Sequence, residues 1–144
     1  MEPLTTAAIA IGSVVATKAL EKTGEKVGEV LWDKTGQFLV KLRKHYPQTV
    51  VAIEKAPEQP LDYGTALIDV ESAAQADPEV AQAAQELAAA AKAETPSNLN
   101  EILIEIAEAL KSQSPTNQTR IESIEKIVNF AQRDINIQSQ TINL

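Results

Sequence analysis

The chain has 144 residues, 44% of them apolar but only 3% aromatic, and a net charge of −7. That length suits one domain with an appended tail. The absence of cysteine excludes disulfides, thiolate nucleophiles and cysteine metal sites, and the acidic balance argues against general nucleic-acid binding.

Much of the apolar content is alanine, which favours helix and close helix approach but buries little area per residue. The expected fold class is therefore all-α, a thin bundle of modest stability rather than a compact enzyme core. Charge is unevenly spread. Residues 1–55 carry eight Lys/Arg against six acids, net +2, and residues 56–144 carry five against fourteen, net −9. Any attraction to anionic lipid must come from the N-terminal third.

The start, Met1-Glu2-Pro3, lacks the basic n-region of a secretory signal. Residues 3–17 are uncharged, but fifteen residues fall short of the ~20 of a spanning helix, so this stretch reads as a buried or interfacial helix. Residues 4–45 carry one helical pattern without internal proline. Leu20, Gly24, Val27, Leu31, Phe38 and Leu42 form an a/d-type stripe with one position skipped near Lys34 and Thr35. Gly12, Gly24, Gly28 and Gly36 interrupt it, and each costs roughly 1 kcal/mol in a helix interior. The last three lie near one face, which either admits another helix or marks a bend. A single long N-terminal helix and a helical hairpin both fit. Gly24-Glu-Lys-Val-Gly28 has the GxxxG spacing, but its charged centre favours packing against a neighbouring helix over dimerisation in a membrane.

Pro47 ends the pattern. A short helix is predicted at 48–55, with Val50, Val51 and Ile53, then a breaker at 56–60. A helix follows at 61–75 with Leu61, Leu67, Ile68 and Val70 as its apolar positions. Asp77-Pro78 is a cap followed by proline at the first helical position and starts an alanine-rich helix over 78–93. Thr95-Pro96-Ser97-Asn98 breaks it. Asn98 or Asn100 can cap a helix near 99–112 with Leu99, Leu103, Ile106 and Leu110 on one face. The expected organisation is a helical bundle at 1–111, a polar linker at 112–119 and a separate segment at 120–144. Within that segment 120–131 can form helix, and the Pro- and Gly-free residues 132–144 form a flexible or β-prone tail. Its alternation of Ile135, Ile137, Ile142 and Leu144 with Asn136, Gln138 and Asn143 suits cross-β stacking, in which identical side chains ladder from copy to copy.

Signals for catalysis and cofactors are weak. His45, the only histidine, falls at a helix end, where the helix dipole favours it as a surface residue. Glu101, Glu105 and Glu108 are spaced like carboxylate ligands but lack a Glu-x-x-His partner, so a solvated face is favoured. The glycines sit in helical context and build no phosphate loop. No catalytic, cofactor-binding or metal residues are assigned, and a non-enzymatic module is expected. Lys18, Lys22 and Lys26 follow i, i+4, i+8, a spacing that fits either phospholipid head groups or pairing to Glu21, Glu25 and Glu29.

Leu4-Thr-Thr-Ala-Ala-Ile-Ala-Ile-Gly-Ser-Val-Val, Gly24-Glu-Lys-Val-Gly28-Glu and Leu31-Trp-Asp-Lys-Thr-Gly36 resemble the start of cyanobacterial helical domains that head signalling and cell-death proteins. These are similar to bacterial Bell domains, counterparts of the fungal HeLo-type domains. Phe130-Ala-Gln-Arg-Asp-Ile-Asn-Ile-Gln is similar to the short amyloid signalling motifs paired with them. The resemblance covers about the first 45 residues and the last 20. It implies a cytoplasmic cell-death effector that self-associates through its tail, is templated by a receptor protein bearing a matching motif, and relocates to the inner face of the plasma membrane. Under it the membrane-contacting residues are Leu4, Ile9, Ile11, Val14, Val15, Lys18, Lys22 and Lys26, with an anionic membrane as partner. The amyloid motif comprises Phe130, Gln132, Ile135, Asn136, Ile137, Gln138, Ile142, Asn143 and Leu144. The chain departs from the family in its acidic balance and in having no Lys/Arg ahead of the first helix. A helical adaptor or oligomerisation domain that never touches membranes is the alternative.

Overall fold

The computed structural model describes residues 3–94, 96–113 and 125–129. They form an all-α bundle: α1 (Pro3–Thr23), α2 (Glu29–Arg43), α3 (Pro47–Glu54), α4 (Tyr63–Ala76), α5 (Pro78–Ala93) and α6 (Leu99–Gln113), with residues 125–129 also helical and no strand among the described residues. α1 is the central element and packs against α2, α3, α4, α5 and α6.

The pattern over 4–45 is a hairpin, not one helix. Gly24 has φ +81°, a left-handed conformation that glycine adopts without steric cost. Its N–H donates to Glu21 O at 3.2 Å and the Glu25 N–H donates to Leu20 O at 2.9 Å, the paired bonds that close a helix in a Schellman motif. Gly24, Val27 and Gly28 thus lie in the connection, and the GxxxG spacing forms no helix face. Leu20, Leu31, Phe38 and Leu42 are buried as the stripe requires, and buried Thr35 fills the skipped position.

The remaining boundaries follow local chemistry. Pro47 sits at the start of α3. Asp62 caps α4 through the Thr65 N–H. Asp77 ends α4 by donating its N–H to Ala73 O and starts α5 by accepting the Glu79 N–H at 2.9 Å, ahead of Pro78. The α6 face Leu99, Leu103, Ile106 and Leu110 is buried as expected, whereas Val51 and Ile68, assigned to the apolar faces of α3 and α4, are exposed. α6 runs through Ser112 and Gln113, the first residues of the expected linker. Ile127, in the segment expected to stand apart, is fully buried and belongs to the bundle core.

Candidate functional site

Residues 5–17 of α1 are buried without exception. A helix uncharged over this length has no face that prefers water, and an all-round apolar helix belongs in the middle of a core or in lipid. Ile9, Ile11, Val14 and Val15 lie in the core cluster; the side chain of Leu4 falls outside the described residues. At Gly12 the approach of α6 is so close that a Cβ would sit 2.8 Å from Leu103 Cδ2.

The polar groups of α1 are unevenly satisfied. Ser13 Oγ donates to Ile9 O at 2.6 Å, and Asn98 Nδ2 donates to Ala16 O at 3.3 Å. Thr5 Oγ1, Thr17 Oγ1 and Asn98 Oδ1 are buried without a hydrogen-bond partner. A buried unmade hydrogen bond costs about 1–3 kcal/mol, so α1 occupies its place with internal opposition. Asn98 serves α1 from the side through its amide N–H, and its side-chain oxygen Oδ1 does not cap α6.

Charge begins where α1 leaves the core. Lys18 Nζ lies 3.6 Å from Glu21, 3.7 Å from Glu54 and 5.9 Å from the ring centroid of Trp32. Lys22 pairs with Glu58 at 3.4 Å. Lys26 stands on the α1–α2 connection, beyond the end of the helix. The three lysines therefore share no helix face, and two of them are engaged by acids.

The hairpin is held by a carboxylate far away in sequence. α2 begins at Gly28 with no side-chain cap of its own. Glu94, at the end of α5, accepts the Leu31 N–H at 2.8 Å and so supplies that cap from 63 residues away. A Cβ at Gly28 would overlap Glu94 Oε1, so the glycine leaves that carboxylate its place. Sequence reasoning missed Glu94; a helix start with glycine in the capping position was the available sign that the cap comes from elsewhere.

Ion pairs tie α2 to its neighbours. Lys34 and Glu86 meet at 2.6 Å. Their hydrogen bond raises the Lys34 ammonium and lowers the Glu86 carboxyl, which Gln82 also supports. Lys41 pairs with Glu79 at 3.0 Å and Arg43 with Glu54 at 3.4 Å. His45 Nε2 lies 2.8 Å from Asp77 Oδ2. This bond, with the Glu79 N–H, holds the Asp77 carboxyl below its ordinary range.

Glu101, Glu105 and Glu108 are exposed along α6. Among the described residues no three His, Cys, Asp or Glu side chains converge as a metal site requires, and no helix is long and apolar enough to cross a membrane. Phe130, Gln132, Ile135, Asn136, Ile137, Gln138, Ile142, Asn143 and Leu144 lie outside the described residues. No protein-family model, curated protein or solved structure matches the chain.

Proposed function

We propose that the chain is a non-enzymatic cell-death effector module that stores an uncharged apolar helix inside its bundle and delivers it to a membrane after its C-terminal segment has assembled. The observation that carries this reading is the complete enclosure of residues 5–17 of α1 by the other helices. At about 1.5–3 kcal/mol for each large apolar side chain, Ile9, Ile11, Val14 and Val15 together hold α1 in place by about 6–12 kcal/mol. That is comparable to the whole stability of a domain. Release therefore needs a trigger and a second apolar environment, either lipid or other copies of α1. Cross-β stacking of the tail would supply the trigger by raising the local concentration of bundles.

The test uses the absence of native cysteine. Ala16→Cys places a small thiol on a fully buried position of α1. In the resting protein it should react with maleimide only slowly. Adding seeds formed from the 130–144 peptide, with phosphatidylcholine–phosphatidylserine vesicles present, should accelerate labelling and release vesicle contents. Tail assembly with unchanged labelling and intact vesicles would defeat the effector reading.

That result would favour a helical adaptor that oligomerises without touching membranes. The second reading has its own support in the engagement of Lys18 and Lys22 by Glu21, Glu54 and Glu58, which leaves those lysines less available to lipid phosphates.

A further inference from the structure

The outward face of α2 carries apolar surface that the bundle does not use. Trp32 is 48% exposed and Val40 55% exposed. Gly36 lies between them at i+4 from each, and a Cβ built there would meet no atom within 4 Å. Together with Asp33, Gln37 and Lys41 they line one open groove. The charged residues beside it are ordered along the helix: Glu29 and Asp33 in the N-terminal half, Lys41 and Arg43 in the C-terminal half.

We infer that a second copy of this chain docks on this face, with the two α2 helices antiparallel about a two-fold axis near Gly36 and Gln37. The spacing is self-complementary. Trp32 and Val40 are equidistant from Gly36, so a two-fold there sets each Trp32 against Val40 of the other copy, with Gly36 leaving room for the indole. Asp33 and Lys41 are equidistant from Gln37, and Glu29 and Arg43 from Gly36. A two-fold at Gly36 therefore sets Glu29 against Arg43, and leaves Lys41 about 3 Å along the helix from the point opposite Asp33, within reach of its long side chain. An isologous pairing repeats every one of these contacts twice, and the antiparallel arrangement opposes the two helix dipoles favourably. A parallel pairing would instead set acid on acid and base on base. Lys41 and Arg43 already pair with Glu79 and Glu54 within the bundle; at partly exposed sites these side chains can bridge to a further carboxylate. The inference is independent of tail assembly, because it concerns a reversible dimer of the folded bundle.

A helix of 15 residues is about 22 Å long and covers less than the ~800 Å² per partner of a standard interface. The dimer should therefore be weak, with a dissociation constant on the order of 100 µM.

The test is sedimentation equilibrium of the full chain up to about 500 µM, a few times that constant, with the emission of Trp32 followed in parallel. Trp32 is the only tryptophan in the chain, so its emission reports on this face directly. The expected result is a monomer–dimer equilibrium, reversible on dilution and without thioflavin binding, with a blue shift that tracks dimer formation. Val40→Asp should abolish both without altering helicity, since Val40 is exposed in the monomer. Asp33→Lys and Lys41→Asp should each weaken the dimer about five- to tenfold, because each turns two attractive pairs into repulsive ones. Combined, they should restore most of the affinity. A chain that stays monomeric throughout, a dimer indifferent to Val40→Asp, or a double variant no tighter than the singles would each overturn the inference.

Discussion

The cap that Glu94 supplies to α2 can be tested by filling the space that Gly28 leaves for it. At φ −56° and ψ 141°, alanine fits the Gly28 backbone without strain, so Gly28→Ala should act mainly through the overlap of its Cβ with the Glu94 carboxylate. Glu94 is half-buried and can swing outward, but it then gives up the Leu31 N–H. Losing a helix cap costs about 1 kcal/mol, and alanine is itself a poorer capping residue than glycine by some tenths, so the expected destabilisation is about 1.5–2 kcal/mol. In a domain of this size that lowers Tm by about 5–7 °C.

Glu94→Ala removes the same bond and should cost about 1–1.5 kcal/mol. The decisive measurement is the double variant, followed by urea unfolding at 222 nm. With the carboxylate absent, the added Cβ has nothing to displace. The double should therefore lose about 1.5–2 kcal/mol rather than the ~3 kcal/mol of simple addition. Glu94→Gln keeps an acceptor and should lose less than Glu94→Ala. If the two single effects add to within about 0.3 kcal/mol, Gly28 and Glu94 act independently and the clearance argument is wrong.

Other outcomes follow from the same geometry. Thr5→Val and Thr17→Val replace buried hydroxyls that have no partner with an isosteric methyl. Each should raise stability by about 0.5–1.5 kcal/mol; a loss in either would show that its hydroxyl is satisfied after all. Ile127→Ala should lower stability by about 2–4 kcal/mol in denaturant melts, because Ile127 is fully buried in the bundle core, and an unchanged midpoint would mean that this residue is not docked in solution. Because Glu86 and Asp77 are lowered by their partners, the stability they add is complete above their ordinary values of 4.5 and 3.8 and is lost as pH falls through the lower folded values. Lys34 is raised, so its share is complete below 10.5 and is lost only as pH rises through the higher folded value. Tm should therefore decline on acidification with a shallower slope in Glu86→Gln, and equal slopes would refute the linkage. For the tail, Ile137→Pro should block cross-β assembly of the 130–144 peptide, since proline removes a ladder donor, and thioflavin binding by the substituted peptide would contradict this.

Most of the helix ends were legible because they are local events. Proline lacks an N–H, and an aspartate just ahead of a helix caps it from its own place in the chain, so Pro47 and Asp77-Pro78 mark boundaries with little help from what surrounds them. The buried row Leu99, Leu103, Ile106 and Leu110 is likewise a property of helical periodicity alone. Residues 4–45 were not legible to the same degree. Their periodicity runs straight through Gly24, and glycine accepts either sign of φ, so helix and hairpin are locally equivalent. The choice fell to α2 folding back onto α5, with Glu94 capping a helix 63 residues away.

The candidate site divides in the same way. Residues 3–17 announce a helix with no wet face, yet a protein core and a lipid bilayer satisfy that helix equally well, and only its enclosure by five helices identifies its place in this state. The lysine spacing at 18, 22 and 26 assumed one helix, and the turn at Gly24 removed Lys26 from it. Ile68 and Trp32 are apolar by residue type but exposed, because burial depends on what the rest of the chain places opposite a side chain. Local chemistry is complete within one turn of helix, whereas packing requires both surfaces, and for α1 and α2 the largest share of the second surface comes from α5, distant in sequence.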